Sequence, residues 1–305
     1  MNVVTELSPA DPTRHFHHAE FPVEVLRAAK ASRSVSICLP ARNEATTVGD
    51  IVTELRHELL QTGVVDEIVV VDDHSTDRTA AVARAAGARV VASRDVLASH
   101  GQGHGKGEVL WKSLYATRGD IVVWCDADIR EFDTRFVRGV LGPLLCDESV
   151  YFAKGHYCRH ERDGAGGGRV TELVARPLLS LFFPHLSVIR QPLSGEYGGK
   201  RAMLEQVPFV CGYGVDVGLL IDLSRRFGMT GIAQVDLDVR HHRNRPLSEL
   251  SPQAMAVAQT ILHRASPALV GASSVLLRPD VAPVEIDVDE RPALIELAGY
   301  LAGTA

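Results

Sequence analysis

Between residues 34 and 130 the chain alternates short apolar runs with stretches of helical period. "SVSICLP" is nearly continuous in apolar character and halts at Pro40. "ATTVGDIVTELRHELL" then brings Val48, Ile51, Val52, Leu55 and Leu59 onto one helical face. "DEIVVVDD" reads as a second strand. "STDRTAAVARAAGA" reads as a second helix, with Ser75 or Thr76 as N-cap and Gly87 as its stop. A third strand, "RVVAS", a third helix, "GKGEVLWKSLYATRG", and a fourth strand, "DIVVWCD", complete the rhythm. Strands this apolar bury both faces. The pattern therefore predicts an α/β fold, a Rossmann-like, mainly parallel sheet flanked by helices and joined by right-handed crossovers.

The second half is more mixed. "SVYFAKGHYCR" predicts a strand, and "GAGGGRVTELVARPLLSLFFP" a glycine loop feeding a helix that Pro177 kinks. "GVDVGLLIDLSRRFG" predicts a helix, "IAQVDLDVRHHR" a strand and "SPQAMAVAQTILHRA" a last helix. These shifts divide the chain into a loosely held N-terminal arm (1–33), a nucleotide-binding half (34–130), an acceptor-binding half of the same domain (131–265) and a C-terminal extension (266–305).

Composition narrows the function. A net charge of −6 supplies no basic field for nucleic acid or anionic membrane, so any anion must be caught by a local cluster. The five cysteines form no C-x-x-C pair, and no apolar run reaches the length of a span or a signal peptide. A reduced, cytoplasmic protein is expected.

Parallel sheets bind ligands at the carboxyl ends of their strands, and the polar residues cluster there. After the fourth strand stand Asp126 and Asp128, separated only by Ala127. Two carboxylates leaving one strand repel by about 1–4 kcal/mol at contact distance, a cost that a hard divalent cation cancels. A solvated loop of helix-capping acids is the competing reading. Asn43 and Glu44 follow the first strand, Asn43 as a cap for the next helix and Glu44 as an acceptor for ribose hydroxyls; Asp73 follows the second. "GQGHGKGE" fails the P-loop spacing, but its glycines admit a ligand and Lys106 adds a point charge. In "GAGGGRVTE" backbone N–H groups, the Arg169 fork and the Thr171 hydroxyl suit an anion. In "VRHHRNRP" at most one of His241 and His242 faces the crevice, and Arg243, Asn244 and Arg245 form a polar, cationic patch. Asp216 either interacts with a helix dipole or orients a sugar.

Taken together, "LPARNE", "GKGE", "DAD", "GGGRVTELVARPLL", "QPLSGEY", "GYGVDVGLLID" and "HRNRPL" resemble the GT-A glycosyltransferases, and among them the actinobacterial glucosyl-3-phosphoglycerate synthases, over roughly residues 34–251. The resemblance implies transfer of glucose from UDP-glucose to D-3-phosphoglycerate with retention, using Mg²⁺ or Mn²⁺, in a homodimer. It implies a donor pocket of Pro40, Ala41, Arg42, Asn43, Glu44, Asp73, Lys106, Asp126 and Ala127, with Tyr213, Gly214, Val215 and Asp216 flanking the sugar. Lys106, Asp126 and Asp216 would be catalytic, Asp128 and His242 would ligate the metal, and Gly168, Arg169, Val170, Thr171 and Asn244 would hold the acceptor. Asp216 stands where the family commonly has Glu, and Arg42 where it has an uncharged residue. A GDP-mannose-dependent mannosyl-3-phosphoglycerate synthase is the nearest alternative, and a non-catalytic nucleotide-sugar-binding protein the alternative of another class.

Overall fold

The chain enters its sheet earlier than its polar opening suggests. Arg14–His17 forms strand β1, and a short 3-10 turn leads to helix α1 (Val23–Lys30). From Arg14 onward, then, the N-terminal segment is no loose arm. β1 pairs in parallel with a strand more than two hundred residues away, and Nε2 of His17 and of His18 lie 3.1 and 2.6 Å from the Asp238 carboxylate on that strand. The computed structural model describes residues 11–101, 103, 105–161, 164–165, 168–240, 246–269, 274–279 and 281–300.

The expected alternation follows as β2 (Val35–Ala41), α2 (Val48–Leu55), β3 (Glu67–Asp72), α3 (Thr79–Ala86), β4 (Arg89–Ala92), α4 (Lys106–Ala116) and β5 (Ile121–Trp124). Gly87 closes α3 in the left-handed region at φ 102°. The start of α3 differs: its N-cap is Arg78, and neither Ser75 nor Thr76 caps it. Beyond β5 come α5 (Arg135–Cys146), β6 (Phe152–Glu161), β7 (Gly164–Ala165), α6 (Arg176–Phe182), β8 (Tyr197–Lys200), α7 (Arg201–Leu204), β9 (Phe209–Val210), α8 (Val215–Phe227), β10 (Ile232–Arg240) and α9 (Leu247–Ala265). The hairpin β11 (Val275–Arg278) and β12 (Val281–Glu285) and the short β13 (Glu290–Arg291) end the described chain.

One sheet spans both expected halves, in the order β1-β10-β6-β8-β5-β2-β3-β4, with β7 beside β6. Among its long strands β8 alone is antiparallel, wedged between β5 and β6. Successive residues of β2 and β5 send side chains to opposite faces. Ile37, Leu39 and Val123 join one buried layer with α2 and α5, while Cys38, Val122 and Trp124 join another with α4 and α8.

Of the helices with awkward prolines, α6 and α9 solve the missing N–H locally. A π turn over Thr171–Ala175 precedes Pro177, so the expected kink is a widened turn leading into α6. α9 starts at Leu247, before the predicted Ser251. Pro252 inside it has no N–H for the Ser248 carbonyl, and Arg278 Nη1 donates there at 2.9 Å instead.

Candidate active site

Because β2, β3 and β5 are parallel neighbours, the loops leaving them open at one edge. They line a cleft of about 1100 Å³. Its wall includes Pro40, Ala41, Arg42, Asn43 and Glu44 after β2, Asp73 after β3, and Asp126, Ala127 and Asp128 after β5. Lys106 at the head of α4, Tyr213 just before α8, Asp216 in the first turn of α8, and Gly168, Arg169, Val170 and Thr171 before α6 complete it. Residues far apart in the chain thus share one cavity.

The loops are tied to each other. Asn43 (φ 59°) and His74 (φ 57°) adopt the left-handed conformation, which Asn tolerates better than most residues. The Asn43 N–H donates to Ser75 Oγ at 2.9 Å, and its Oδ1 accepts from the Thr76 N–H at 2.8 Å. Asn43 is therefore a cross-loop tie and not the helix cap expected; Thr47 holds the N-cap position of α2. Asp73, only 4% exposed, accepts from the Gly105 N–H at 3.3 Å and lies 3.0 Å from His74 Nδ1 and 3.9 Å from Arg42 Nη1. Its carboxylate joins the β2, β3 and α4 loops.

The floor of the cleft is a dense charge network. Lys106 Nζ lies 3.1 Å from Asp216 Oδ1 and 3.5 Å from Asp126 Oδ1. The second oxygen of Asp126 faces Arg240 at 3.4 Å, and Arg240 Nη2 donates to Asp128 Oδ1 at 3.1 Å. Arg240 Nη1 also reaches Glu196 Oε1 at 2.5 Å and Tyr157 Oη at 3.1 Å. Tyr197 Oη donates to Asp216 Oδ1 at 2.8 Å, and Lys154 Nζ sits 4.2 Å over the Tyr197 ring.

Burial works against each charge, and the neighbours decide the outcome. It pushes the Asp126 carboxyl up, but Lys106 and Arg240 outweigh it and hold the group down at about 2. For Lys106 burial opposes the charge, and the Asp126 and Asp216 carboxylates more than compensate, raising the ammonium above its ordinary value. Lys154 is lowered to about 8, burial prevailing over more distant carboxylates. Glu196 is raised, because its burial and the nearby Asp126 exceed the pull of Arg240. Gly195 is what allows Asp126 in: a Cβ there would lie 2.1 Å from Asp126 Oδ2.

The donor set suits a hard divalent cation. Asp128, one oxygen of which accepts from Arg240, lines the cleft with its side chain 47% exposed, whereas Asp126 is 28% exposed and has both oxygens committed, to Lys106 and to Arg240. Among the described residues no third imidazole, thiolate or carboxylate joins these two aspartates at metal-ligand spacing. His242 and Asn244, expected as metal and acceptor ligands, lie outside the described residues.

Two expected donor residues do not line the cleft. Val215 has its side chain fully buried in the apolar layer under α8. Gly214 backs onto α9, where a Cβ would meet Thr260 Oγ1 at 2.0 Å. Sequence reasoning also passed over Arg240, Glu196, Tyr157 and Tyr197. For Arg240 the signal was present, since it is a polar residue ending a sheet strand parallel to its neighbours. Glu196 and Tyr197 sit at the antiparallel β8, which no local pattern announced.

Residues 36–143 match the family model described as Glycosyl transferase family 2. Glucosyl-3-phosphoglycerate synthase of Mycolicibacterium smegmatis is 49% identical over 254 residues, 82% of this chain and 83% of that protein. The protein of the same name from Petrotoga mobilis is 46% identical over 260 residues, 82% of this chain and 80% of its own. Among solved structures, glucosyl-3-phosphoglycerate synthase of Mycobacterium tuberculosis with Mn²⁺, UDP-glucose and phosphoglyceric acid superimposes with a TM-score of 0.86 at 42% identity, covering 94% of this chain and 99% of that one. Mannosyl-3-phosphoglycerate synthase of Rubrobacter xylanophilus does so with a TM-score of 0.86 at 36% identity, covering 93% and 97%.

Proposed function

The chain belongs to the glucosyl-3-phosphoglycerate synthases, GT-A enzymes of glycosyl transferase family 2, and on that premise we propose that it transfers glucose from UDP-glucose to 3-phosphoglycerate with retention at the anomeric carbon. The observation that carries this reading is the cleft itself, which gathers the D-x-D aspartates, the Lys106–Asp216 pair and the segment from Gly168 to Thr171 around one volume.

Asp128, with His242, would hold Mn²⁺ or Mg²⁺. A divalent ion there supplies charge neutralisation for a departing diphosphate. The chain's own residues do the rest. Pro40, Ala41, Arg42, Asn43 and Glu44 with Asp73 form the nucleoside side of the cleft. Tyr213, 44% exposed, offers a ring face beside the sugar. Lys106 adds a fixed positive charge near the bond that breaks, and Asp216, oriented by Tyr197, accepts sugar hydroxyl protons in hydrogen bonds. Arg169 and Thr171 clamp the phosphate and carboxylate of the acceptor, with Asn244, and so orient its hydroxyl towards the sugar. Asp126 spends one oxygen on Lys106 and the other on Arg240, and Asp216 is held by Lys106 and Tyr197. Carboxylates so engaged are poor nucleophiles, which favours a same-face displacement over a covalent glycosyl-enzyme.

The protein would work as a homodimer in the cytoplasm. Leu173, Leu181 and Phe182, all exposed on the segment leading into and along α6, support association, and the free cysteines support a reducing compartment. No helix among the described residues is long and apolar enough to cross a membrane. The test of function is direct. Pure protein with Mn²⁺ and 3-phosphoglycerate is given UDP-glucose or GDP-mannose, and the product is identified by mass and anomeric NMR. An α-glucosyl product from UDP-glucose is expected. Turnover with GDP-mannose alone would overturn the donor, and nucleotide-sugar binding without turnover would overturn catalysis.

A further inference from the structure

Residues 266–305 carry no motif, yet the strand near their end reaches the machinery of the cleft. We propose that Arg291 is a positioning residue: acting through Glu108, it fixes the first turn of α4 and with it the Lys106 ammonium. This rests on the reading of the cleft as a donor pocket.

Glu108 stands two residues after Lys106, in a helix start that has no side-chain cap, and it is completely buried. A lone carboxylate there would be costly. Arg291 grips it in a fork, Nε donating to Oε2 at 2.5 Å and Nη2 to Oε1 at 3.2 Å, while Nη1 donates to the His100 carbonyl at 2.6 Å. Lys112 Nζ meets the same carboxylate at 2.9 Å. Burial raises the Glu108 carboxyl, but Arg291 and Lys112 prevail and keep it below its usual range, so the contact stays ionic. A two-bond fork restrains rotation as well as distance, which a single ammonium does not.

The same segment braces the opposite side of the charge pair. β13 pairs antiparallel with β9, and the Cys211 N–H donates to the Asp289 carbonyl at 2.8 Å. Trp111 Nε1 on α4 donates to the Pro292 carbonyl at 2.9 Å. Between α4 and β9 no side chain intervenes: the Glu108 N–H donates to the Cys211 carbonyl at 2.9 Å, and a Cβ on Gly107 would lie 1.6 Å from the Val210 carbonyl oxygen. A few residues past β9 the chain reaches Tyr213 and Asp216. One C-terminal strand therefore holds the supports of both Lys106 and Asp216, which face each other at 3.1 Å.

Arg291→Met tests this, because Lys112 remains on Glu108 and no buried charge is stranded. With the fold intact by circular dichroism and melting, kcat/KM for UDP-glucose is expected to fall at least about tenfold, while the KM for 3-phosphoglycerate stays within about twofold. Arg291→Lys, which restores charge without the fork, should recover part of the loss. Unchanged kinetics, or a KM for 3-phosphoglycerate raised as much as that for UDP-glucose, would overturn the proposal in favour of a purely structural contact. If Arg291→Met does not fold, Arg291→Lys decides by the same criteria: a smaller loss confined to UDP-glucose supports the fork, and wild-type kinetics overturn it. Wild type assayed in parallel separates the two readings: its failure to turn over would sink the proposed function, whereas its turnover beside an equally active Arg291→Met sinks only this inference.

Discussion

The two walls of the cleft are built by different means. On the nucleotide side the residues from Pro40 to Glu44, Asp73, Asp126 and Asp128 sit in the last two positions of a parallel strand or within four positions past it. Pro40 and Asp73 end or follow β2 and β3, Asp126 and Asp128 follow β5, and neighbouring loops bond directly to one another. On the other side nothing is regular. A π turn aims the segment from Gly168 to Thr171, an antiparallel strand presents Glu196 and Tyr197, and Arg240 arrives from a bulged strand. The first wall depends on local geometry repeated along the chain. The second depends on charges that only long-range packing brings together.

If that contrast is sound, damage to the second wall shows first in folding. Arg240→Met should cost about 3–5 kcal/mol in urea unfolding, because Glu196 loses its ionic partner in a fully buried site. A change below about 1 kcal/mol would mean that the network is not holding the wall together.

Damage to the first wall shows in turnover instead. Asp128→Ala is expected to lower Mn²⁺-dependent UDP release by about 10²–10³-fold, with little change in melting, since its side chain is nearly half exposed. Wild-type-like activity of that variant in EDTA would remove Asp128 from the metal site. A smaller kinetic effect belongs to the second wall, where Arg169→Ala should raise the KM for 3-phosphoglycerate about tenfold, as loss of a charge-assisted contact does. A shift confined to the donor's KM would reassign the segment from Gly168 to Thr171.

The smallest effect is on acid stability. The Asp126 carboxyl is held at about 2, against an ordinary 3.8, by Lys106 and Arg240 acting against burial. A depressed carboxyl contributes stability that is complete above its unfolded value and is lost as pH falls through its folded one. Melting temperature should therefore drop between about pH 4 and pH 2, and less steeply in Asp126→Asn. Parallel curves for the two proteins would show that the charge network contributes nothing there.

Much of the first wall was readable in the sequence, and the reason is physical. Runs such as "IVVW" bury on both faces, so they must be inner strands, and the polar residue that ends each run must lie at the sheet edge. Other positions were harder to read, where a residue had two reasons to be polar or small. Asn43 looked like a helix cap and is a cross-loop tie. Gly214 looked like part of a ligand loop, and its small size serves instead to let α8 approach Thr260. β1 and β8 went unseen because neither short segment has a period of its own; each is a strand only because a partner strand lies beside it.

The amino-acid order alone determined the parallel core, the edge at which a ligand binds and the acids waiting there, since burial and strand period act over a few residues. The tertiary structure decided which cations face those acids. Arg240 and Lys106 meet Asp126 from sites 114 and 20 residues away, and Coulomb attraction depends on distance in space, which no stretch of sequence encodes by itself.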